Sequence, residues 1–276
     1  VRVTPSTGAV TLVAGSATAG DADGSGAAAA LSQPRGLAVG ADGTIYVADT
    51  GNHKIKKIVG GTVTTIAGST EGFADGAPGS LDTPTSLALT ASGTLLVADA
   101  WNNRIRALPA AGGALSTWAG SGVRASVDGP GASAQLYFPF AVTLLADGSL
   151  AVAESNDGVI RRVATDAAHT VTTWAGALGR IGWADGPMDT ASFQEMIGLA
   201  TRANGDVVVL DSATYRVRLI SGGQMTTLAG GASAQLVDGD GGAAGFSFPR
   251  AAAFGDAATL YVADSGNHAL RRLRLP

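Results

Sequence analysis

One stretch of about 28 residues recurs five times along the chain, and this repeat limits the possible folds more than any other feature. Each copy begins with an apolar residue and carries a Pro, or in the fourth copy Met196, three positions later. Spacings of about 50 to 57 residues are typical of architectures in which each repeat is one supersecondary unit. We predict a single domain over 1–276, with repeats at 31–80, 81–135, 136–192, 193–245, and 246–276 together with 1–30.

Each copy contains four short runs rich in Val, Ile, Leu and Thr, separated by turn residues such as Gly60 and Gly61. In the first copy these runs predict strands over 36–40, 44–48, 53–59 and 62–67. Four antiparallel strands in a repeat of this length are typical of a β-propeller blade, whereas a linear solenoid has shorter repeats and polar caps. The predicted fold is therefore all-β: a β-propeller of four-stranded antiparallel blades, with five blades favoured.

The two ends of the chain suggest how such a ring could close. Residues 1–15 align without gaps on residues 54–68, so the N-terminus carries a third and a fourth strand of the repeat. The C-terminus ends after a third strand, at 268–275. We expect the N-terminal strand to complete the C-terminal blade. A six-bladed parent from which the chain was cut is the alternative.

Composition excludes several classes of function. Hydrophobic residues make up 46% of the chain and charged residues 14%, which favours a packed core over disorder. A formal net charge of −4 argues against nucleic acid as a partner, and there is no apolar run long enough for membrane insertion. The absence of Cys excludes disulfides and thiol chemistry.

The run VADTGNHKI at 47–55, echoed by VADSGNHAL at 262–270, resembles the NHL repeat, named after an Asn-His-Leu triplet at this turn. The resemblance covers the whole chain, although three copies have another pair of residues in place of Asn-His, starting at Asn102, Asp157 and Thr214. It implies a propeller, commonly six-bladed, that binds proteins, RNA or small ligands, with a minority of enzymatic relatives. From this we expect a monomeric domain of a larger bacterial protein. The compartment stays open, with an extracellular or periplasmic one favoured.

Acidic residues recur at fixed positions of the repeat. We define the top face as the loops that join strands two and three of a blade together with the loops that lead to the next blade. Most of the 22 acids lie in these loops, whereas most of the 18 bases lie on third strands. An acidic top face further disfavours RNA. Two series recur once per repeat: the strand acids Asp49, Asp99, Glu154, Asp211 and Asp264, and the linker aspartates Asp23, Asp75, Asp128, Asp185 and Asp238. Repetition in every blade favours a structural role, as turn residues and partners of third-strand bases.

Two linkers carry a second acid that could create a cation site. These weak candidates for Ca²⁺ are Asp21, Asp23, Asp238 and Asp240. Neither loop has the later bidentate Glu of an EF-hand, so the sequence predicts no cofactor, with Ca²⁺ as the alternative.

A ligand site is expected where the copies differ. The residue after the Pro or Met anchor lies at the start of each inner strand, at the top mouth of the channel, and is Arg35, Thr85, Phe140, Ile197 or Arg250. Two guanidinium groups in an apolar rim could bind a carboxylate or phosphate, unless they pair with top-face acids. Trp101 and Trp183 lie in top loops and either bind a partner or cover a neighbouring blade.

We therefore predict a non-enzymatic binding domain of sensor or adhesion type, with a protein, peptide or small ligand at the top face and channel mouth. The alternatives are a metal-dependent hydrolase or lyase, as in propeller lactonases and lyases that the fold also looks like, and a structural spacer. The inner strands contain no carboxylate, amide or His, and the chain has only three His. These two facts disfavour catalysis.

Overall fold

The computed structural model describes residues 1–231 and 233–275 and consists of short β-strands joined by turns and brief 3₁₀ segments. The chain divides into two compact units, Val1–Trp118 and Ala119–Pro276. Each repeat forms its own antiparallel sheet. In the first repeat the observed strands start within one residue of the predicted ones.

The first unit contains an N-terminal hairpin and two blades. Its strands are β1 (Arg2–Thr4), β2 (Ala9–Thr11), β3 (Gly24–Ser25), β4 (Leu37–Val39), β5 (Ile45–Asp49), β6 (Lys54–Val59), β7 (Thr62–Ala67), β8 (Pro84–Leu89), β9 (Thr94–Asp99), β10 (Arg104–Pro109) and β11 (Ser116–Ala119). The sheet orders are β3-β7-β6-β5-β4 and β11-β10-β9-β8. Two 3₁₀ segments are Gly26–Ala28 and Thr50–Asn52.

The second unit contains three blades. Its strands are β12 (Pro139–Leu144), β13 (Leu150–Glu154), β14 (Val159–Val163), β15 (Val171–Ala175), β16 (Gly186–Pro187), β17 (Met196–Thr201), β18 (Val207–Asp211), β19 (Arg216–Ser221), β20 (Gln224–Gly230), β21 (Pro249–Asp256), β22 (Thr259–Asp264) and β23 (Ala269–Arg274). The sheet orders are β12-β13-β14-β15, β16-β20-β19-β18-β17 and β21-β22-β23. The 3₁₀ segments are Ser212–Thr214, Gly241–Ala243 and Ser265–Asn267.

Five blades, one per repeat, confirm the predicted fold class, an all-β propeller of antiparallel sheets. Neighbouring inner strands approach closely where the sequence supplies glycine. A Cβ built on Gly36 would lie 2.7 Å from Cα of Ser86, and one on Gly198 would lie 2.8 Å from the carbonyl oxygen of Arg250. The small residues of the inner strands are therefore required by backbone packing.

The ends of the chain differ from the predicted closure. Among residues 1–231 and 233–275, strand β1 pairs with β2, and the C-terminal sheet contains the three strands β21, β22 and β23, without the expected N-terminal fourth strand. Only residues 5–8 separate β1 from β2, so this local pairing costs less loop entropy than a pairing across the chain. In addition, the Gly15 amide donates to the carbonyl of Gly26, which ties this segment to the first blade.

Candidate functional site

A β-bulge marks the predicted channel-mouth position in four blades. The register of the first two strands shifts between the anchor and the second residue after it, so the residue between them is the bulged one. A bulge changes the direction of a side chain and is common beside binding sites. The bulged residues are Thr85, Phe140, Ile197 and Arg250.

The first unit holds two of the predicted residues. Arg35 is exposed and borders a groove of about 450 Å³ with Val1, Leu37 and Val39. Thr85 begins the neighbouring inner strand and is buried. The two positions therefore offer different access to a ligand.

Three predicted residues lie together in the second unit. Phe140, Ile197 and Arg250 begin the inner strands β12, β17 and β21, which pack side by side in that order. Phe140 and Ile197 are half-buried, whereas Arg250 is exposed. Among the described residues, Arg250 has no carboxylate within ion-pair distance. It therefore presents a guanidinium group beside two apolar side chains.

Three aromatic residues that the sequence reading missed surround these positions. The ring of Phe138 stacks on Phe140 at 6.0 Å, and the ring of Tyr215 meets Phe248 edge-on at 5.3 Å. Phe138, Tyr215 and Phe248 all have left-handed backbone, with φ of 53°, 57° and 47°. Phe138 and Phe248 stand directly before the Pro anchor, where the first two copies have Gln33 and Thr83. The change to an aromatic residue at this position is the feature of the sequence that could have identified them. We name Phe138, Phe140, Tyr215 and Phe248 the aromatic rim.

The two tryptophans lie in loops and are exposed. Trp101 follows the strand acid of the second blade and is about half exposed, at 52%. Trp183 is 58% exposed, and the guanidinium carbon of Arg216 lies 5.3 Å from its ring centroid. Trp183 therefore has a structural contact in addition to a free face.

The repeated acids form an internal ion network in each blade. In the second blade, Arg106 binds the strand acid Asp99 at 2.8 Å through Nη1 and the linker Asp75 at 2.6 Å through Nη2. The same arrangement recurs in the third, fourth and fifth blades around Arg161, Arg218 and Arg271. Much of the predicted acidity of the top face is thus neutralised locally, and the structural reading of both acid series agrees with these contacts.

Each acid in the network has a further role in holding its blade. Strand acids accept backbone N–H bonds from the preceding linker, for example from Asp82 to Asp99 at 2.7 Å. Linker aspartates accept a hydrogen bond from a fourth-strand Thr, for example from the Thr65 amide to Asp23 at 2.7 Å. Burial raises the pKa of Asp49, Asp99 and Asp211. Burial also acts to raise the pKa of Asp23, but the bonds from Thr65 and Lys56 outweigh it and lower the pKa below its usual value.

The first blade replaces the central Arg with Lys56. Its Nζ lies 3.0 Å from Asp21, 3.1 Å from Asp23 and 3.8 Å from Asp49. Lys54 also binds Asp21. Two of the candidate Ca²⁺ ligands thus surround an ammonium group. In the fifth blade, Asp238 binds Arg271, and Asp240 is exposed at the start of a 3₁₀ segment.

The third blade departs from the pattern at two positions. Its strand acid is Glu154, and Asp157 stands where three other blades have Asn. The Ser126 hydroxyl contacts both carboxylates, Glu154 and, at 2.5 Å, Asp157. One hydroxyl carries one proton, so it donates to only one of the two, and the other contact requires a proton on a carboxyl group. Burial raises the pKa of Glu154 to about 7, in line with this geometry.

The three histidines serve backbone turns. His53 and His268 adopt left-handed φ angles of 56° and 53° after the 3₁₀ turn of their repeats, and His169 has a φ of 48°. His53 Nδ1 accepts the Thr83 amide at 3.1 Å. Within residues 1–231 and 233–275, there is no group of three or more His, Asp or Glu arranged to hold a metal ion. Over the same ranges, no helix has the length and apolar character needed to cross a membrane.

Comparisons with known proteins extend these observations. Residues 31–58 match the sequence model of the NHL repeat. No curated protein matches the chain in sequence.

Solved structures with the same fold include proteins of several kinds. An auxiliary nutrient binding protein from Bacteroides ovatus has a TM-score of 0.68 and 17% identity, over 88% of this chain and 59% of that one. A catalytically inactive virginiamycin B lyase from Staphylococcus aureus, with quinupristin, has a TM-score of 0.56 and 16% identity, over 89% and 67%. A gluconolactonase from Xanthomonas campestris has a TM-score of 0.57 and 14% identity, over 89% and 77%.

At these identities the likeness concerns the fold, and binding proteins and enzymes share it. The NHL match lies on the first of five copies of one pattern, and every copy forms a blade. The chain is thus a β-propeller in which residues 31–58 match the NHL repeat and the same pattern recurs in each of the other four blades.

Proposed function

We propose that this propeller is a non-enzymatic binding domain, and that the aromatic rim and Arg250 of its second unit bind a small ligand or peptide end with an apolar body and a carboxylate. The observation that carries this proposal is the exposed guanidinium of Arg250 beside half-buried aromatic and aliphatic side chains. Aromatic surface supplies the apolar contact, and Arg can bind both oxygens of a carboxylate at once.

Backbone conformation supports the same location. Left-handed φ is unfavourable for bulky side chains, yet the rim uses it at three aromatic residues. The same conformation recurs at the equivalent positions of other blades, including Gln33, Thr83 and His53, so it belongs to the turns of the repeat. At the rim these turns fix the direction of aromatic side chains, and Phe248 is 40% exposed.

The fold neighbours support binding without deciding the class of function. A nutrient binding protein is among them, and so are a lyase and a lactonase. The aromatic rim offers contact surface, and Arg250 beside it offers one cation. Catalysis would require in addition a nucleophile paired with a base, and the rim and Arg250 contain no such pair. The predicted roles of Arg35, Thr85, Trp101 and Trp183 remain separate predictions.

The first test compares two probes that differ only in charge. Titration of the chain with 3-phenylpropanoate and with 3-phenylpropanamide, followed by saturation-transfer NMR, should show tighter binding of the acid. Arg250→Gln should weaken binding of the acid about tenfold and leave the amide unaffected, because a charge-assisted hydrogen bond is lost. Arg274→Gln, which changes an exposed base on β23, is the matched control and should behave as the wild type.

A second variant tests the apolar part of the site. Phe248→Ala removes an exposed ring and should weaken both probes together. Equal binding of acid and amide to the wild type, or unchanged binding to both variants, would place the ligand elsewhere.

A further inference from the structure

In the first, third and fourth blades, the residue directly after the strand acid carries a hydroxyl group that donates a hydrogen bond to the next blade. The acceptor is the main-chain carbonyl of the Pro or Met anchor that begins the next inner strand, and each pair lies within one compact unit. The pairs are Thr50 with Pro84, Ser155 with Met196, and Ser212 with Pro249. The hydrogen bond therefore fixes the residue that stands just before the predicted channel-mouth position.

The pair in the second unit that precedes Arg250 is fully enclosed. Ser212 is 0% exposed, and its Oγ lies 3.0 Å from the carbonyl oxygen of Pro249, which is also buried. Proline has no main-chain N–H, so its carbonyl is the only main-chain group through which a hydrogen bond can hold it. Ser212 thus contributes directly to fixing Pro249.

Arg250 depends on its neighbours for its direction because it is the bulged residue of its strand. The pairing of β21 with β22 passes from Pro249 and Asp264 to Ala251 and Ala263, and Arg250 lies between the two pairs. A bulged residue is left out of the ladder, so the ladder itself restrains it less than its neighbours. The carbonyl that follows its side chain is also confined, since β17 passes it closely at Gly198.

The turn that contains Ser212 also contacts the rim through an aromatic residue. Ser212 begins the 3₁₀ segment Ser212–Thr214, and Tyr215 follows this segment. The ring of Tyr215 meets Phe248 at 5.3 Å, one residue before the carbonyl that accepts from Ser212. A single turn of the fourth blade therefore holds the segment 248–250 at two successive residues.

We propose that Ser212 is a positioning residue for the candidate site: through the Pro249 carbonyl, its hydroxyl holds Arg250 in the direction that lets the site prefer a carboxylate. This inference rests on the function proposed for the aromatic rim and Arg250. In the other two pairs the residues equivalent to Arg250 are Thr85 and Ile197, which carry no charge. The same hydrogen bond therefore affects charge selectivity only where it precedes Arg250.

The repeat itself supplies the variants that test Ser212. The second blade has Ala100 at the equivalent position, where it is 0% exposed, and the first blade has Thr50. Ser212→Ala removes the hydroxyl and Ser212→Thr keeps it, and both place a residue that another blade already accommodates there. We therefore expect both variants to fold.

The first measurement is the ratio of the affinities for 3-phenylpropanoate and 3-phenylpropanamide. Ser212→Ala should weaken binding of the acid about threefold and leave the amide unaffected, because the guanidinium group is directed less well. Ser212→Thr should restore the ratio. Ser155→Ala removes the equivalent hydrogen bond to Met196, and it is the matched control because any shift of Ile197 affects both probes alike. It should keep the ratio of the wild type.

Two results of these titrations would overturn the proposal. An unchanged ratio in Ser212→Ala would show that Arg250 needs no support from this hydroxyl. An equal loss in Ser155→Ala would show a general loosening of the blades in place of a specific effect on Arg250.

Nitrogen-15 relaxation of the Arg250 amide gives a second measurement that needs no ligand. Its order parameter should fall from about 0.85 toward about 0.6 in Ser212→Ala and stay unchanged in Ser212→Thr and Ser155→Ala. An unchanged order parameter in Ser212→Ala would contradict the proposed role. A wild type without preference for the acid would instead refute the proposed function, and relaxation alone would then decide whether Ser212 positions Arg250.

Discussion

At the residue scale, the fourth strands end on glycines that no other residue can replace without distortion. Gly68, Gly176 and Gly230 have φ of 87°, 84° and 100°. A Cβ on them would lie 2.3, 2.4 and 2.1 Å from a carbonyl oxygen of the third-strand turn. The Ala-Gly pair that recurs at the end of the fourth strands thus indicates a close approach of two backbone segments as well as a turn.

Gly230→Ala should therefore destabilise the chain by at least about 2 kcal/mol more than Gly222→Ala. Gly222 also has a positive φ, 55°, but nothing lies within 4 Å of its Cβ position, so it isolates the cost of the clash. Urea unfolding followed by circular dichroism measures both variants. Similar losses for the two would show that backbone strain alone accounts for the effect.

Glu154 gives the chain a specific dependence on pH. Its folded pKa of about 7 exceeds the ordinary value of 4.5, so the folded state holds a proton that the unfolded state releases. As pH rises from about 4.5 to about 7, this group should lower the free energy of unfolding by about 3 kcal/mol.

Asp157→Asn should reduce this loss. An Asn at this position donates to the strand acid, as Asn102 does to Asp99 at 2.9 Å, and would favour ionised Glu154. Urea midpoints from about pH 5 to about pH 8 should then fall less steeply than in the wild type. Asn102→Asp, the reverse change in the second blade, should steepen the slope, and parallel curves for all three proteins would refute the shared-proton interpretation.

At the scale of the element, each blade is held by one base between a strand acid and a linker Asp, and in the first four blades this base is buried. Arg106, Arg161 and Arg218 are fully buried, with their charge shared between a strand acid and a linker Asp. Aromatic rings add to this, since the guanidinium carbon of Arg218 lies 5.2 Å from the ring centroid of Phe193. The network ties the third strand to the linker that crosses it.

Arg106→Met should destabilise the chain by about 3–5 kcal/mol, because Asp99 would be left buried without its counter-charge. The double variant Asp99→Asn with Arg106→Met removes both charges and should recover part of this loss. Thermal unfolding of the two variants and of Asp99→Asn alone gives the coupling energy. A double variant as unstable as the sum of the single ones would mean that the two side chains act independently.

The sequence alone predicted the blades because strand and turn preferences are local and recur five times. It also indicated that the strand acids and linker aspartates are structural, and the ion pairs agree. It could not predict the bulge at Phe140 or the contact of Tyr215 with Phe248. The bulge depends on the register of β12 against β13, and the ring contact depends on the approach of two neighbouring blades.

At the scale of the whole molecule, charge is arranged for internal pairing. The chain carries 22 acids and 18 bases, and the bases at the centre of the blades are engaged with carboxylates. The acids outnumber the bases by four, so the chain as a whole has no excess of cations to release counterions from a phosphate backbone.

We accordingly expect no retardation of single-stranded RNA by the chain at about 1 µM protein in low salt. An electrophoretic shift assay with a labelled RNA of mixed sequence checks this. A shift that disappears with added salt would show that the chain carries a basic surface able to bind RNA, and would contradict the expectation.

The sequence by itself determined the repeat, the all-β propeller class and the structural use of its acids, since these follow from local preference and from charges placed at one position in every copy. Tertiary structure decided which side chains are exposed, how Phe138 and Phe248 meet their neighbours, and that the last blade has three strands in the part of the chain that the structure describes. Those outcomes depend on competition between long-range and local pairings. A segment such as 1–15 fits more than one partner in sequence and takes the one with the lower entropic cost.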